Sequence, residues 1–213
     1  MKKGMKPPRI PFVPTIYEHS ARLINKTPSQ IAQNEDLLVE SQLTSYKKYK
    51  HDLISVGVDI YNIECEALGG QIIFPANQDI PYLKEEIIKY KADFDQLKMI
   101  NPEKDGRMPL FLNAATRINE KLGDKVIVNG TIVGPFTLAA LLRGFSNYIT
   151  DLILNPDFAL KLLNFTKKVS LKYARAFIKR GVGLSINESW ITPPLLSPEL
   201  YRKYIFKVEK DLI

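Results

Sequence analysis

The chain has 213 residues, 45% of them hydrophobic, a formal net charge of +7 and one cysteine. That is enough chain for one substantial core, and a lone cysteine excludes an internal disulfide framework. The basic excess is scattered over Lys2, Lys3 and Lys6, Lys47, Lys48 and Lys50, Lys167 and Lys168, and Lys179 and Arg180, so a solvated surface is expected rather than a nucleic-acid groove.

The opening "MKKGMKPPRIPFVP" is basic but is followed by no apolar stretch of the signal-peptide kind. No apolar run approaches the ~20 residues of a membrane span. A soluble, reduced, cytoplasmic protein is the expectation, with neither nucleic acid nor membrane among its partners.

In chain order, "RIPFVPTI" (9–16) reads as a short strand with prolines at its ends. A helical pattern follows from Thr27, where Thr27, Pro28 and Gln30 have the makings of a capping box. Asn34 and Glu35 are where that helix would break in two. The apolar run before "YNIECEALGG" predicts a strand over 53–63, and "DIPYLKEEIIKYK" (79–91) looks helical. A helix is expected over 108–122, stopped by Gly123. The β-branched "KVIVNGTIV" (125–133) is a strand, and "GPFTLAALLRG" opens a helix at Pro135. The longest helix should run from Asn155 and Pro156 to Gly181. "VGLSINES" (182–189) is a fourth strand, and a last helix starts at Ser197.

Strands alternating with helical patterns signal βα units around a parallel sheet. The usual glycine-rich phosphate turn is absent. A (β/α)8 barrel typically needs roughly 250 residues, so 1–213 is expected to form a single domain that is an incomplete barrel of about four βα units. The chain ends within a helical pattern without a stop signal, which suggests the N-terminal portion of something longer.

Polar residues gather at the expected strand ends, where barrel enzymes carry their chemistry. They are Tyr17, His19 and Arg22; Asn62, Glu64 and Glu66; and Glu188 and Ser189. Period-two geometry would put Asn62, Glu64 and Glu66 on one strand face, and a lone buried carboxylate is costly, so these residues are expected to meet in one polar cup. The competing reading pairs Glu64 and Glu66 with a basic residue as structural ballast. Cys65 is expected to be an inert buried thiol, and His19 is as readily a structural histidine as a catalytic one.

The segments "IYEHSARLI", "VDIYNIECEALG", "GTIVGPFTLAALLRG" and "GVGLSINESWITPPLLSPELYRKYI" together resemble the uroporphyrinogen decarboxylase superfamily over essentially the whole chain. The resemblance implies a (β/α)8 TIM barrel with extra N-terminal helices, of which this would be the N-terminal part. Two activities belong to that family. Decarboxylases grip the acetate groups of a tetrapyrrole with arginines, without a cofactor. Here the first of those two arginine positions is Glu18 and the second is Arg22. The pyrrole-binding aspartate falls at or near Glu66, the family tyrosine falls near Leu141, and Ser189 matches the family serine. A glutamate where a polyanion should bind reverses the local charge, and like charges set together cost several kcal/mol.

The other branch, to which "NIECEALG" and "GPFTLAALLRG" look more similar, is the corrinoid-dependent methyltransferases. These move a methyl group between a cobalamin-carrying protein and a thiol or other acceptor. The resemblance implies a corrinoid carried by a partner. It also implies zinc held by a His-x-Cys pair and a distant Cys, a pattern not found in these residues, so no metal ligand is assigned here. Under this reading Glu66 and Glu64 would orient substrate or support the metal site, with Ser189 beside them. Tyr17, His19, Arg22, Asn62 and Glu188 would contact the small-molecule substrate. A porphyrin-precursor decarboxylase is the alternative. A third reading is a truncated half-barrel without activity of its own, which would self-associate through its open edges.

Overall fold

The computed structural model describes residues 9–57 and 59–212. The basic start at Lys2, Lys3 and Lys6, and Val58 within the expected 53–63 strand, lie outside them.

Three short helices come first: α1 (His19–Arg22), α2 (Pro28–Ala32) and α3 (Glu35–Tyr49). The capping box forms as the sequence suggests. Thr27 Oγ1 accepts from the Gln30 amide at 3.2 Å, and Gln30 Oε1 accepts from the Thr27 amide at 2.9 Å. The break falls at Asn34, whose side chain caps α3 through the Leu37 amide. Glu35 and Asp36 in the first turn of α3, and Lys47 and Lys48 in the last, complement its dipole.

The central sheet is parallel, in the order β1 (Leu53–Val56), β4 (Ile127–Val133), β5 (Gly183–Asn187). Between β1 and β4 lie the short helix α4 (Ile63–Ala67), a small antiparallel pair β2 (Ile72–Ile73) and β3 (Tyr82–Leu83), a 3₁₀ turn at Lys91–Gln96, and α5 (Met108–Leu122). Helices α6 (Pro135–Arg143), α7 (Phe145–Leu154) and α8 (Pro156–Lys179) join β4 to β5. After β5 come a 3₁₀ turn at Ser189–Ile191, α9 (Pro198–Leu200), a wider π turn at Tyr201–Ile205 and α10 (Phe206–Lys210).

One face of the sheet packs on helices. Ile54, Val56, Val128 and Ile132 are buried there, and Phe177 of α8 lies so close to Gly130 that a Cβ would come within 2.3 Å of its ring. The alternate positions, Ser55, Asn129, Thr131, Ser185 and Asn187, point the other way. Asn129 Nδ2 donates to Ser185 Oγ across two strands at 3.0 Å. That face mixes these polar side chains with Leu53, Ile127 and Val133, where a barrel interior is usually filled with branched apolar side chains.

Several expectations are corrected. Residues 9–16 form no strand. Pro11 and Pro14 lack amide donors, and the segment is held instead by Asp52, which accepts from Arg9 and from the Phe12 amide at 2.7 Å. The parallel sheet therefore has three strands among the described residues, not four. The second strand ends at Val56 rather than 63. Asp59 takes a left-handed conformation (φ 63°), and the chain turns at once into α4. The 79–91 segment is not helical: Pro81 precedes β3, and the backbone of Ile88 and Lys89 bonds to the end of α6 through Leu142 and Arg143. The expected 108–122 helix is found at those bounds. Asn155 begins α8 but makes no cap, because its amide donates to Asp151.

Candidate functional site at the strand ends

Because 63–67 is a helix, Asn62, Glu64 and Glu66 do not share a strand face. The turn that ends β1 sends them to different places.

Glu66 joins an ionic knot. Arg107, just before α5, donates Nε to Glu66 Oε2 and Nη2 to Asp59 Oδ2, both at 2.6 Å, and Nη1 to the Ala32 carbonyl at 3.2 Å. Its guanidinium lies 4.7 Å from the Phe74 ring centre. Asp59 is buried. Burial lifts it to about 6, although Arg107 and Asn62 pull the other way. Asn62 is buried too, its amide donating to Asp59 and, at 2.9 Å, to the Pro81 carbonyl.

Glu64 is fully buried. Pairing of β1 with β4 stops at Val56 opposite Gly130, and further along β4 Glu64 Oε1 takes up the Val133 amide at 2.8 Å. Its other oxygen has no partner among the described residues. Burial pushes the group up to about 8, outweighing the amide bonds, so it is largely a neutral acid at pH 7. Cys65 beside it is buried, and burial raises its thiol far above the usual range. An inert thiol follows.

His19 and Arg22 are exposed on α1. His19 Nε2 bonds the Tyr49 hydroxyl at 2.8 Å, and among the described residues Arg22 donates to Gln78, at 3.4 Å. Arg22, Glu64, Glu66 and Ser189 bond to Gln78, the Val133 amide, Arg107 and Tyr61 respectively.

An uncharged cluster also forms. Tyr61, from the turn after β1, and Ser189, after β5, share a hydrogen bond of 2.6 Å. Tyr17 reaches the same region. Burial raises its hydroxyl above the ordinary tyrosine range, while the nearby Asn187 and Ser55 side chains oppose the rise and the nearby Tyr61 adds to it. Thr131 Oγ1 and Asn187 Nδ2 are buried without a partner. Next to this cluster opens a cleft of about 280 Å³, walled by Tyr61, Asn62, Tyr82, Leu83, Leu141 and Trp190. A second hollow of like size shares Leu83, Leu141 and Trp190 and continues to Lys84 and Phe145. The Phe145 and Trp190 rings meet edge to face, 5.3 Å apart. A larger depression of about 420 Å³, lined by Leu68, Tyr90, Asp93 and Leu97 among others, shares no residue with the cleft.

Glu188 stands beside Ser189 but turns its carboxylate to the start of α6. Oε1 accepts from the Phe136 amide at 2.8 Å. Oε2 accepts from the Thr137 amide at 2.9 Å and the Thr137 hydroxyl at 2.6 Å. Sequence reasoning missed Asp59, Arg107, Tyr61 and Thr137. Tyr61 had a signal available, since it follows the strand in the same segment as Asn62. Nothing local marks Arg107, which lies 41 residues from Glu66.

Among the described residues no three His, Cys, Asp or Glu side chains gather to hold a metal ion, and no helix is long and apolar enough to cross a membrane.

A methyltransferase from Methanosarcina mazei has the same fold, with a TM-score of 0.85 at 20% identity over 99% of this chain and 63% of that one. The three parallel strands are therefore part of a (β/α)8 barrel preceded by extra helices. The methylcobamide:CoM methyltransferase MtbA of Methanosarcina acetivorans is 26% identical over 163 residues, 76% of this chain and 47% of that protein. The uroporphyrinogen decarboxylase of Cellvibrio japonicus is 26% identical over 190 residues, 86% of this chain and 51% of that one. The chain spans about half the length of the curated relatives it matches. The uroporphyrinogen decarboxylase (URO-D) family model matches residues 1–213, and the chain belongs to that family.

Proposed function

We propose that this protein takes part in corrinoid-linked methyl transfer, moving a methyl group between a cobalamin-carrying partner protein and a thiol or other small acceptor. The observation that carries this reading is the absence of charge in the cleft wall: Tyr61, Asn62, Tyr82, Leu83, Leu141 and Trp190. A uroporphyrinogen presents many carboxylates, and holding them takes cations, bidentate arginines above all. Arg22, the residue that resemblance offers for that role, bonds Gln78 on the surface of α1, and Glu18 occupies the other position. A cleft of aromatic faces and hydroxyls suits a small acceptor with one or two charges better than an array of carboxylates.

In this reading Ser189 and Tyr61 hydrogen-bond the substrate, and Trp190 and Tyr82 lie against its apolar part. Tyr17 closes the inner side, and Asn62 shapes the wall from behind. Glu64, neutral and bonded to β4, and Glu66, held by Arg107, support the site without touching substrate. The corrinoid would supply the methyl group. Zinc finds no ligand set among the described residues, and no step is assigned to it. We place the protein in the cytoplasm, with the corrinoid protein as its partner.

The test uses protein from the complete reading frame. With methylcobalamin and 2-mercaptoethanesulfonate, methylated thiol should appear, and Ser189→Ala and Tyr61→Phe should each slow it at least tenfold. Release of carbon dioxide from uroporphyrinogen with no methyl transfer would establish the decarboxylase alternative instead. Inactivity in both assays would remove both readings.

A further inference from the structure

Glu188 is a carboxylate placed next to the cleft that does not face it. Both oxygens are engaged by the first turn of α6, through Phe136 and Thr137. Gly134, the residue before α6, has to be glycine for this. A Cβ there would come within 2.0 Å of the Glu188 side chain. The Gly134 amide in turn donates to the Asn187 carbonyl at 2.9 Å. The Thr137 hydroxyl that donates to Glu188 also lies 3.4 Å from the Trp190 amide. The end of β5 is thus bolted to the start of α6 at Asn187, Glu188 and Trp190, and Ser189 lies between the last two.

We propose that Glu188 is a positioning residue, whose carboxylate, gripped by the first turn of α6, sets where Trp190 stands in the cleft wall and where Ser189 stands beside it.

The grip depends on charge. A proton on Oε2, which already accepts two hydrogens, displaces one of them, and a proton on Oε1 removes the charge that strengthens all three bonds. Burial lifts Glu188 to about 7, against the pull of Thr137 and the Phe136 amide, and nearby Glu209 of α10 lifts it further. The Tyr148 hydroxyl of α7 and the Tyr201 hydroxyl also face it, and each is itself raised in part by Glu188. Glu209 bonds Tyr201 at 2.7 Å and leaves its other oxygen buried without a partner. Near pH 7 the bolt is therefore poised between a gripped, ionised state and a loosened, protonated one. The consequence for turnover rests on the methyl-transfer reading, but the placement of Trp190 does not.

Trp190 is the single tryptophan of these 213 residues. Full-length protein labelled with 5-fluorotryptophan, its signal assigned with Trp190→Phe, reports this position directly and needs no substrate. The Trp190 fluorine signal should move between pH 5.5 and 8.5 with a midpoint near 7. In Glu188→Gln it should stay, at every pH, where the wild type stands at pH 5.5. Thr137→Val, which keeps the backbone donors, should shift the signal the same way by a smaller amount, so the proposal stays testable if Glu188→Gln does not fold. A wild-type signal that ignores pH, a Glu188→Gln variant that keeps the wild-type midpoint, or a Thr137→Val signal at the wild-type position would each overturn the proposal. A purely structural glutamate would lower thermal stability without carrying the midpoint. A fluorine response of the expected form without methyl transfer leaves this inference standing and removes the functional reading.

Discussion

Around Arg107, three side chains of opposite charge share one largely buried knot. Around Tyr61, uncharged hydroxyls and amides face one another at the ends of the strands. The first region holds α4, α5 and the turn after β1 together, and the second lines a cleft. In this protein the conspicuous carboxylates of 59–66 bond to scaffold groups, and the cleft wall beside Tyr61 is built from groups that carry no charge. The difference follows from burial: a carboxylate taken out of water must find a cation or give up its charge. Asp59 and Glu66 found the cation. Glu64 found none and is held neutral by burial.

The largest expected effect comes from breaking the knot. Arg107→Ala should cost about 3–5 kcal/mol, the usual loss when one partner of a buried pair is removed. The cost should shrink below pH 6, because Asp59, raised to about 6, can then be protonated and needs no counter-charge. Urea unfolding at pH 8 and pH 5.5 checks this, and equal losses at both would mean the knot is not ionic.

Next is Glu64. Glu64→Leu removes the acceptor of the Val133 amide and should cost about 1–3 kcal/mol for a buried donor left alone. Glu64→Gln keeps that acceptor and imitates the neutral acid, so at pH 7 it should be close to wild type. A large loss in Glu64→Gln would show that the group is charged in the folded protein.

A third effect is in the pH dependence of stability. The folded values of Glu64 (about 8) and Glu188 (about 7) lie above the ordinary 4.5. Between those limits the folded state binds more protons than the unfolded one, so stability falls as pH rises. Their contribution is complete below about pH 4.5 and gone above about pH 8. Glu64→Gln should flatten the upper part of that decline in thermal melts from pH 5 to 9.

The smallest expected change in stability belongs to the mouth. Ser189→Ala and Tyr61→Phe break one neutral hydrogen bond each and should cost about 0.5–1.5 kcal/mol, while their effect on turnover is the large one described above. If either variant unfolds the protein, the division between scaffold and cleft is wrong.

Much of the architecture was legible. The capping box at Thr27, the 108–122 helix, the strand near 127–133, the helix from Pro135 and the long helix to Gly181 all carry their own local instructions. What misled was short-range pattern without a local stop signal. Alternation in "YNIECE" reads as strand, yet Asp59 turns the chain and the same residues wind into α4. The apolar spacing of 79–91 reads as helix, yet its backbone is taken by the end of α6. Ser189 could be singled out because it stands beside a strand end, and Tyr17 because it follows an apolar segment that only resembles a strand, but the partnership of Tyr61 with Ser189 spans 128 residues.

By itself, then, the sequence determined the helices with caps, the alternation of strand and helix, and the family, because those signals lie within a turn or two of chain. Only the tertiary structure decided which carboxylate met a cation, which stayed neutral and which gripped a helix. Those outcomes depend on neighbours 41 to 69 positions away and on how much water each group lost, and neither quantity is written in local order.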